Sequence, residues 1–124
     1  MKYALLIYSA PGARPADSGP AGGPESMADW LGYTGAVRAS GGLLAAEQLK
    51  PTDTATTLRL RGGERLLTDG PFAETKEHLL GFYLLDVPDL DTALDWAARM
   101  PLIGWATVEV RPVVEGAAWQ AALE

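Results

Sequence analysis

Hydrophobic residues follow two different periods along this chain, and each period predicts one type of element. Alternation along short runs is typical of strands, whereas apolar residues three and four apart are typical of amphipathic helices. The strand-like runs are residues 2–8, 43–49, 54–61, 65–68, 79–87 and 105–113. Two helices are predicted, one from Ser26 to Gly41 and one that Asp89 caps and Pro101 ends.

The order of these elements predicts an α+β fold in a single domain, residues 1–124. The order is strand, helix, strand, then a hairpin that turns at Gly62 and Gly63, then strand, helix, strand. Such an order is that of a ferredoxin-like antiparallel sheet with two helices on one face. Residues 9–24, rich in proline and glycine, are expected to form a mobile loop, and residues 114–124 a short helix or a frayed end.

Two of the predicted strands are apolar on both faces, although two helices can cover only one face of a sheet. The alternating sets are Tyr3, Leu5 and Ile7 against Ala4, Leu6 and Tyr8 in the first strand, and Leu80, Phe82 and Leu84 against Leu79, Tyr83 and Leu85 in the fifth. Because monomers seldom leave large apolar patches in water, we expect the second face to meet the sheet of a second copy, in a dimeric α/β barrel. Coverage by residues 9–24 or by the C-terminal tail is the alternative.

The composition narrows the class of function. The 124 residues carry a net charge of −6 and include no cysteine, which excludes disulfides, thiolate metal sites and a cysteine nucleophile. The ten basic residues are scattered, so nucleic-acid binding is not expected. No apolar run approaches the ~20 residues of a membrane span, and residues 2–8 are too short for a signal-peptide core, so we expect a cytoplasmic protein. With a single histidine and no phosphate-binding glycine loop, neither a metal site nor another cofactor is predicted.

The stretch TDGPFAETKE, which follows the fourth predicted strand, has two interpretations. In the structural one, Pro71 fixes its own φ, so the chain turns a rigid corner after Asp69 and Phe72 enters the core. In the chemical one, the motif leads to His78, the only histidine, and histidine is suited to proton transfer near neutral pH. If Asp69 reaches His78, the carboxylate orients the imidazole and the pair transfers a proton. The alternative for His78 is a solvated loop residue or a cap at the strand edge.

Five further residues are candidate substrate contacts. Arg111 and Trp105 share one predicted face of the last strand, toward the expected interface, where an apolar cavity with a few polar groups suits a small molecule. Arg111 is placed to clamp a carboxylate or, alternatively, to pair with an acidic neighbour. Lys76 is placed to bind an anion or to make a surface ion pair. Phe72 and Tyr8 complete the set, with a core position as the alternative for Tyr8.

These motifs together resemble one protein family. The N-terminal MKYALLIY, the block TDGPFAETKEHLLGFYLLDVPDLDTALDWAARMP and the closing VEVRPV resemble the DGPF branch of the YCII-related family, over residues 1–8 and 26–113. The resemblance implies a ferredoxin-like fold and a dimeric α/β barrel. It also implies a His–Asp acid/base pair, in which Asp69 would be the aspartate. The histidine of the family belongs to an N-terminal helix that here contains Trp30 and Tyr33 but no histidine.

Three functional hypotheses follow. The first is an enzyme that binds a small aromatic or carboxylate-bearing molecule and performs cofactor-free acid/base chemistry, such as isomerisation or elimination. In it Asp69 and His78 are catalytic, and Arg111 anchors the substrate. The second, which the resemblance implies, is a non-catalytic accessory or ligand-sensing protein associated with an extracytoplasmic-function sigma factor. The third is a purely structural homodimer. Catalysis requires Asp69 to border an enclosed cavity, whereas a binding module requires apolar surface that dimerisation leaves exposed.

Overall fold

The described residues of the computed structural model form strands and helices in the order that the sequence predicts. The structure describes residues 1–13, 27–72, 75–116 and 118–123. Its elements are β1 (Lys2–Ser9), α1 (Met27–Ala39), β2 (Leu43–Gln48), β3 (Thr56–Arg61), β4 (Glu64–Asp69), β5 (His78–Asp86), α2 (Leu90–Ala98), β6 (Thr107–Pro112) and α3 (Ala118–Leu123). Ser26 and most of the predicted loop 9–24 lie outside the described residues, although Ser9 itself belongs to β1. Within the described ranges, no helix is long and apolar enough to cross a membrane.

The main sheet is antiparallel and has the strand order β2-β5-β1-β6. Strands β5 and β1 are therefore central, and β2 and β6 are the edges. The predicted α+β class with an antiparallel sheet is confirmed, and the strand order is consistent with a ferredoxin-like arrangement. Strands β3 and β4 form a separate two-stranded sheet. This hairpin turns at Gly62 and Gly63, whose φ angles of +57° and +81° fit the mirror-image turns that two-residue hairpins prefer.

The hydrophobic core lies between one face of the main sheet and the helices α1 and α2. Residues four apart on each helix point to this face, as an amphipathic helix requires. The buried residues that meet there include Tyr3, Leu5, Ile7, Tyr83 and Leu85 from the strands and Tyr33, Val37, Ala93 and Ala97 from the helices. The predicted cap of α2 is also confirmed, since Asp89 Oδ1 accepts a hydrogen bond of 2.8 Å from the Thr92 N–H.

The opposite face of the main sheet, called the outer face below, carries side chains that are only half-buried. Direct cross-strand partners share a face, so Leu6 lies between Phe82 and Glu109, and Ala4 lies beside Leu84. All five have intermediate exposure. The predicted two-sided pattern of β1 is therefore confirmed, with one face buried and the other partly open to solvent.

The predicted alternation is wrong at the start of β5. A register shift between Ile7 and Tyr8 sets Leu79 opposite Tyr8, whereas Gly81 lies opposite Ile7. Leu79 therefore shares the side of Tyr8, and Leu80 packs against the core. This is the reverse of what strict alternation predicts, because the bulge inserts one extra residue into β5. The first residues of β5 are thereby turned relative to the rest of the strand.

The last strand is shorter than predicted, and this changes the side on which Trp105 lies. The N–H groups of Trp105 and Ala106 both donate to the Leu102 carbonyl, at 3.0 and 2.9 Å, which holds these residues in a turn. Regular alternation begins only at Thr107. Trp105 consequently packs against the core on the helix side of the sheet, and not on the outer face beside Arg111 as predicted.

The predicted corner after Asp69 is present, but the expectation that Phe72 enters the core is wrong. Gly70 has a φ of +98°, a conformation that favours glycine, and its N–H donates to the Ala55 carbonyl at 2.7 Å. Phe72 is 70% exposed, and the Arg59 guanidinium lies 4.4 Å from the centre of its ring. The corner thus directs Phe72 back onto the hairpin and away from the main sheet.

Candidate functional site

A ligand-sized hollow lies between α1, the end of β2 and the start of β5. Its volume is about 630 Å³, within the roughly 300–1,000 Å³ that is common for small-molecule sites. The wall of this hollow, called the α1 cavity below, combines aromatic and polar side chains. They include Trp30, Thr34, Gln48, His78, Tyr83 and Trp105. The cavity therefore lies on the helix side of the sheet.

Three aromatic rings pack against one another beside the α1 cavity. The rings of Trp30 and Tyr83 are stacked, with their centroids 6.3 Å apart and an interplanar angle of 21°. Tyr33 meets both edge-on, with centroid distances of 6.2 Å to Trp30 and 5.5 Å to Tyr83. Contacts of this kind restrict ring orientation. The wall accordingly presents flat apolar surface, which suits a planar ligand.

The Tyr83 hydroxyl is a polar group of the cavity wall that a hydrogen bond holds in place. It lies 2.6 Å from Thr34 Oγ1, and either oxygen can be the donor. Burial raises the pKa of Tyr83, and the hydrogen bond from Thr34 lowers it by less. The phenol therefore remains protonated at physiological pH. The pair offers a ligand both a donor and an acceptor, one from α1 and one from β5.

His78 lies where the α1 cavity meets a second hollow. It is the first residue of β5, in register with Ser9, and it lines both hollows. The second hollow has a volume of about 430 Å³, and Tyr8, Thr52 and Pro71 also border it. The Nδ1 atom of His78 is 3.3 Å from Thr52 Oγ1. This hydroxyl orients the imidazole ring without adding a charge next to it.

Asp69 borders neither of the hollows that His78 borders. It ends β4, is exposed and lies in register with Thr56. Phe72 lies beneath the Arg59 guanidinium at the base of the hairpin. The structure therefore does not assemble the proposed Asp69–His78 pair around either hollow. The condition set for catalysis by Asp69 is not met at these two hollows, and its catalytic role stays a prediction.

The two candidate cations also lie away from the α1 cavity. Arg111 lies opposite Ala4 in the sheet, and its Nε donates to Glu109 Oε2 at 2.7 Å. This ion pair is the alternative that the sequence left open for Arg111. Lys76 is exposed and borders neither hollow. In the ranges that the structure covers, no group of three or more His, Cys, Asp and Glu side chains could hold a metal ion.

Of the predicted substrate contacts, two line a hollow: Trp105 borders the α1 cavity and Tyr8 the second hollow. Trp30 and Thr34 line the α1 cavity but are not predicted as site residues from the sequence. Their spacing of four places them on one face of α1. That spacing is the signal in the sequence that points to them, although residues of a helix core show the same spacing. Tyr83 is a core residue whose hydroxyl finds a local partner.

Comparison with known proteins gives a family and a relative. The family model described as the YCII-related domain matches residues 1–117. A protein of Rhizobium meliloti (strain 1021), itself described as uncharacterised, is 50% identical to this chain over 76 residues. That match covers 60% of this chain, and the chain spans 61% of the length of the relative. The description of this relative names no activity.

Proposed function

The chain belongs to the YCII-related family, and we propose that it is an enzyme that moves a proton on a small molecule without a cofactor. The ligand site is the α1 cavity, and His78 is the group that takes up and releases the proton. The ligand is a small aromatic or carboxylate-bearing molecule, because Trp30 and Trp105 line the cavity together with the cation Lys50. Isomerisation and elimination are the reactions that such a site can perform.

The observation that carries this proposal is the position of His78 at the cavity wall, with its ring oriented by Thr52. A neutral imidazole that reaches the bound ligand removes a proton from a carbon atom next to a carbonyl group. In an isomerisation the imidazolium returns that proton to a neighbouring atom of the ligand. In an elimination the leaving group departs with its bonding electrons, and the imidazolium gives its proton to solvent.

The hydroxyl pair of Tyr83 and Thr34 supports a second role in the same reaction. Removal of such a proton moves negative charge onto the ligand's carbonyl oxygen, and a hydrogen bond that strengthens there lowers the barrier. A phenol with a raised pKa keeps its proton and serves as this donor. The base and the donor would then come from opposite ends of the β5 segment that lines the cavity.

We also propose that the protein is a homodimer in which the outer faces of two sheets meet. The support is the set of half-exposed apolar side chains on that face, among them Leu6, Phe82 and Leu84. Side chains of this kind rarely form a continuous surface in a monomer. In such a dimer the α1 cavity of each protomer would stay accessible, because it lies on the other side of the sheet.

Thermal-shift screening with small aromatic carboxylates and phenols tests the ligand site. A ligand that raises the Tm of the wild type should raise it less in Tyr83→Phe and Thr34→Val, because each removes one hydroxyl of the pair. His78→Asn should retain the ligand-dependent shift in Tm and lose about 100-fold or more in turnover, followed by NMR. Asp95→Asn, an exposed change on α2, is the control that should preserve both.

Three results would change the conclusion. Turnover that survives His78→Asn would contradict the assignment of the base. Loss of turnover in Asp69→Asn, with His78→Asn active, would move the chemistry to the end of β4. A ligand that shifts the Tm but yields no product under any condition would favour the non-catalytic ligand sensor.

A further inference from the structure

The β3–β4 hairpin has one bare face and one face that residues of the corner after Asp69 partly cover. Direct partners in the ladder place Leu58, Leu60 and Leu67 on the same face. Their side chains are 52%, 67% and 67% exposed. These three residues are called the leucine face below. Three neighbouring leucines with most of their surface in water form an unusual feature on a strand pair of this size.

The reverse face of the hairpin is partly covered by residues of the same chain. Arg59 lies on this face and stacks over Phe72, and the Thr57 hydroxyl donates to the Gly70 carbonyl at 2.8 Å. Leu66, which is the direct partner of Arg59, is 42% exposed and thus less open than all three residues of the leucine face. The corner motif therefore supports one side of the hairpin only.

Charges of opposite sign flank the leucine face. Along this side of the ladder, the successive direct pairs are Thr56 with Asp69, Leu58 with Leu67, and Leu60 with Arg65. The carboxylate lies at the base of the hairpin, the guanidinium lies toward its turn, and the leucine pair lies between them. A two-fold axis that lies between two such faces, at the middle pair and perpendicular to the strands, places the base of one hairpin over the turn of the other. The pattern is therefore self-complementary, which is what an interface between two identical surfaces requires.

We propose that the leucine face packs against the leucine face of a second copy of this chain, with Arg65 of each protomer paired to the partner's Asp69. The leucines supply the apolar centre of the contact, and the two ion pairs lie at its ends. This gives Asp69 a role in recognition between protomers. It also explains why the most exposed apolar strand segment of the chain is bordered by unlike charges rather than by like ones.

The size of the hairpin limits what this contact does alone. Two strands of six residues, at about 3.3 Å per residue and about 4.8 Å between strands, present a face of roughly 200 Å². A stable interface buries about 800 Å² per partner. The contact between leucine faces therefore rests, for most of its affinity, on the proposed dimer of outer faces. Its own contribution is to fix the orientation of the two protomers.

Charge exchange tests the pairing. Arg65→Asp places two carboxylates together at each end of the contact, and Asp69→Arg places two guanidinium groups together. Each single variant should weaken the dimer by at least about tenfold in sedimentation measurements over a dilution series. The double variant Arg65→Asp/Asp69→Arg restores unlike charges, and its dissociation constant should return to within about threefold of the wild type.

Arg61→Asp is the matched control, because Arg61 lies near the same turn but on the reverse face, opposite Glu64. Its dissociation constant should stay within about twofold of the wild type. Far-UV circular dichroism checks that each variant is folded.

The pairing is overturned if the double variant dimerises as weakly as the single ones, if Arg61→Asp dimerises equally weakly, or if the wild type is a monomer. It is also overturned if the leucine face binds a different protein while the dimer persists.

The outer face has a separate test, so the two proposals can fail independently. Phe82→Asp should abolish the dimer whatever the hairpin does, because it buries a charge in the larger contact. A dimer that Phe82→Asp dissociates and Arg65→Asp leaves unchanged would refute the pairing of leucine faces and keep the outer-face dimer. A dimer that responds only to the hairpin variants would refute the outer-face dimer.

Discussion

The main sheet and the β3–β4 hairpin are both rich in leucine, yet the most buried leucines lie in the main sheet and the most exposed strand leucines lie in the hairpin. Leu5 and Leu85 in the main sheet have 0% of their surface exposed, whereas Leu60 and Leu67 in the hairpin are each 67% exposed. Strand β5 pairs with both β1 and β2, and helices cover one of its faces. Strands β3 and β4 pair only with each other. Burial is therefore decided by the neighbours that the topology supplies and not by the composition of the strand.

This contrast separates two kinds of stability in one chain. The main sheet has its own core, so its leucines contribute to the free energy of unfolding of the protomer. A lone two-stranded hairpin is marginally stable in water, and here the corner at Gly70 and the contact between Arg59 and Phe72 support only its reverse face. We infer that the leucines of the hairpin contribute mainly to association.

The largest expected effect comes from removing a leucine that the main sheet buries completely. Leu85→Ala should lower the free energy of unfolding by about 2–5 kcal/mol, because the deletion loses apolar burial and leaves a cavity. Urea unfolding followed by circular dichroism measures this change, at a protein concentration low enough to keep the protomers apart.

A leucine-to-alanine substitution in the hairpin tests the difference between the two regions directly. Leu67→Ala should change the free energy of unfolding by no more than about 0.5 kcal/mol, since the side chain is already mostly exposed. Equal losses at the two positions would mean that the hairpin is part of the cooperative core, and the distinction between the two regions would be wrong.

A smaller loss is expected from Gly81→Ala, which tests how closely β2 approaches β5. A Cβ atom at Gly81 would lie 2.5 Å from the carbonyl oxygen of Glu47, which is closer than real contacts allow. The strands must separate to admit it, at a cost of about 1–3 kcal/mol. Gly32→Ala is the opposite case, because nothing lies within 4 Å of its Cβ position in α1.

Gly32→Ala should therefore stabilise the protomer by up to about 1 kcal/mol, through helix propensity alone. Thermal unfolding of the two variants side by side gives the contrast directly. If Gly81→Ala were as stable as the wild type, the close approach of β2 to β5 would be relieved by a small shift of the edge strand, and the edge would be more adaptable than the centre of the sheet.

The sequence predicts the type and order of the elements well because its signals are local and agree with one another. Period-two patterning, the Asp89 cap and the Gly62-Gly63 turn each specify an element from a few adjacent residues. The side of Trp105 could not be predicted in this way. It depends on two hydrogen bonds to the Leu102 carbonyl that delay the start of β6.

The sequence predicts a residue of the candidate site only where its residue type is distinctive by itself. His78 stands out as the one histidine, and it does line the α1 cavity. Trp30 and Thr34 gave no such signal, because an aromatic and a hydroxyl on a helix face also suit a core. The bulge opposite Tyr8 turns the first residues of β5, and no residue type in that segment reveals such a shift.

The smallest expected effect concerns a charge in the region with its own core. The Thr92 hydroxyl, and after it the Thr92 N–H, donate to Asp89 and hold the pKa of that carboxyl below its ordinary value of 3.8. A carboxyl whose pKa is lower in the folded than in the unfolded state stabilises the fold above its unfolded pKa. That contribution is lost as the pH falls through the folded pKa.

Asp89→Asn keeps an oxygen that can cap α2 and has no such titration. The wild type should therefore be more stable than Asp89→Asn at pH 6, and the difference in Tm should vanish below the folded pKa. A difference between wild type and Asp89→Asn that stays constant from pH 6 into the acid range would contradict the charged cap, and it would show that the amide serves the helix as well as the carboxylate does.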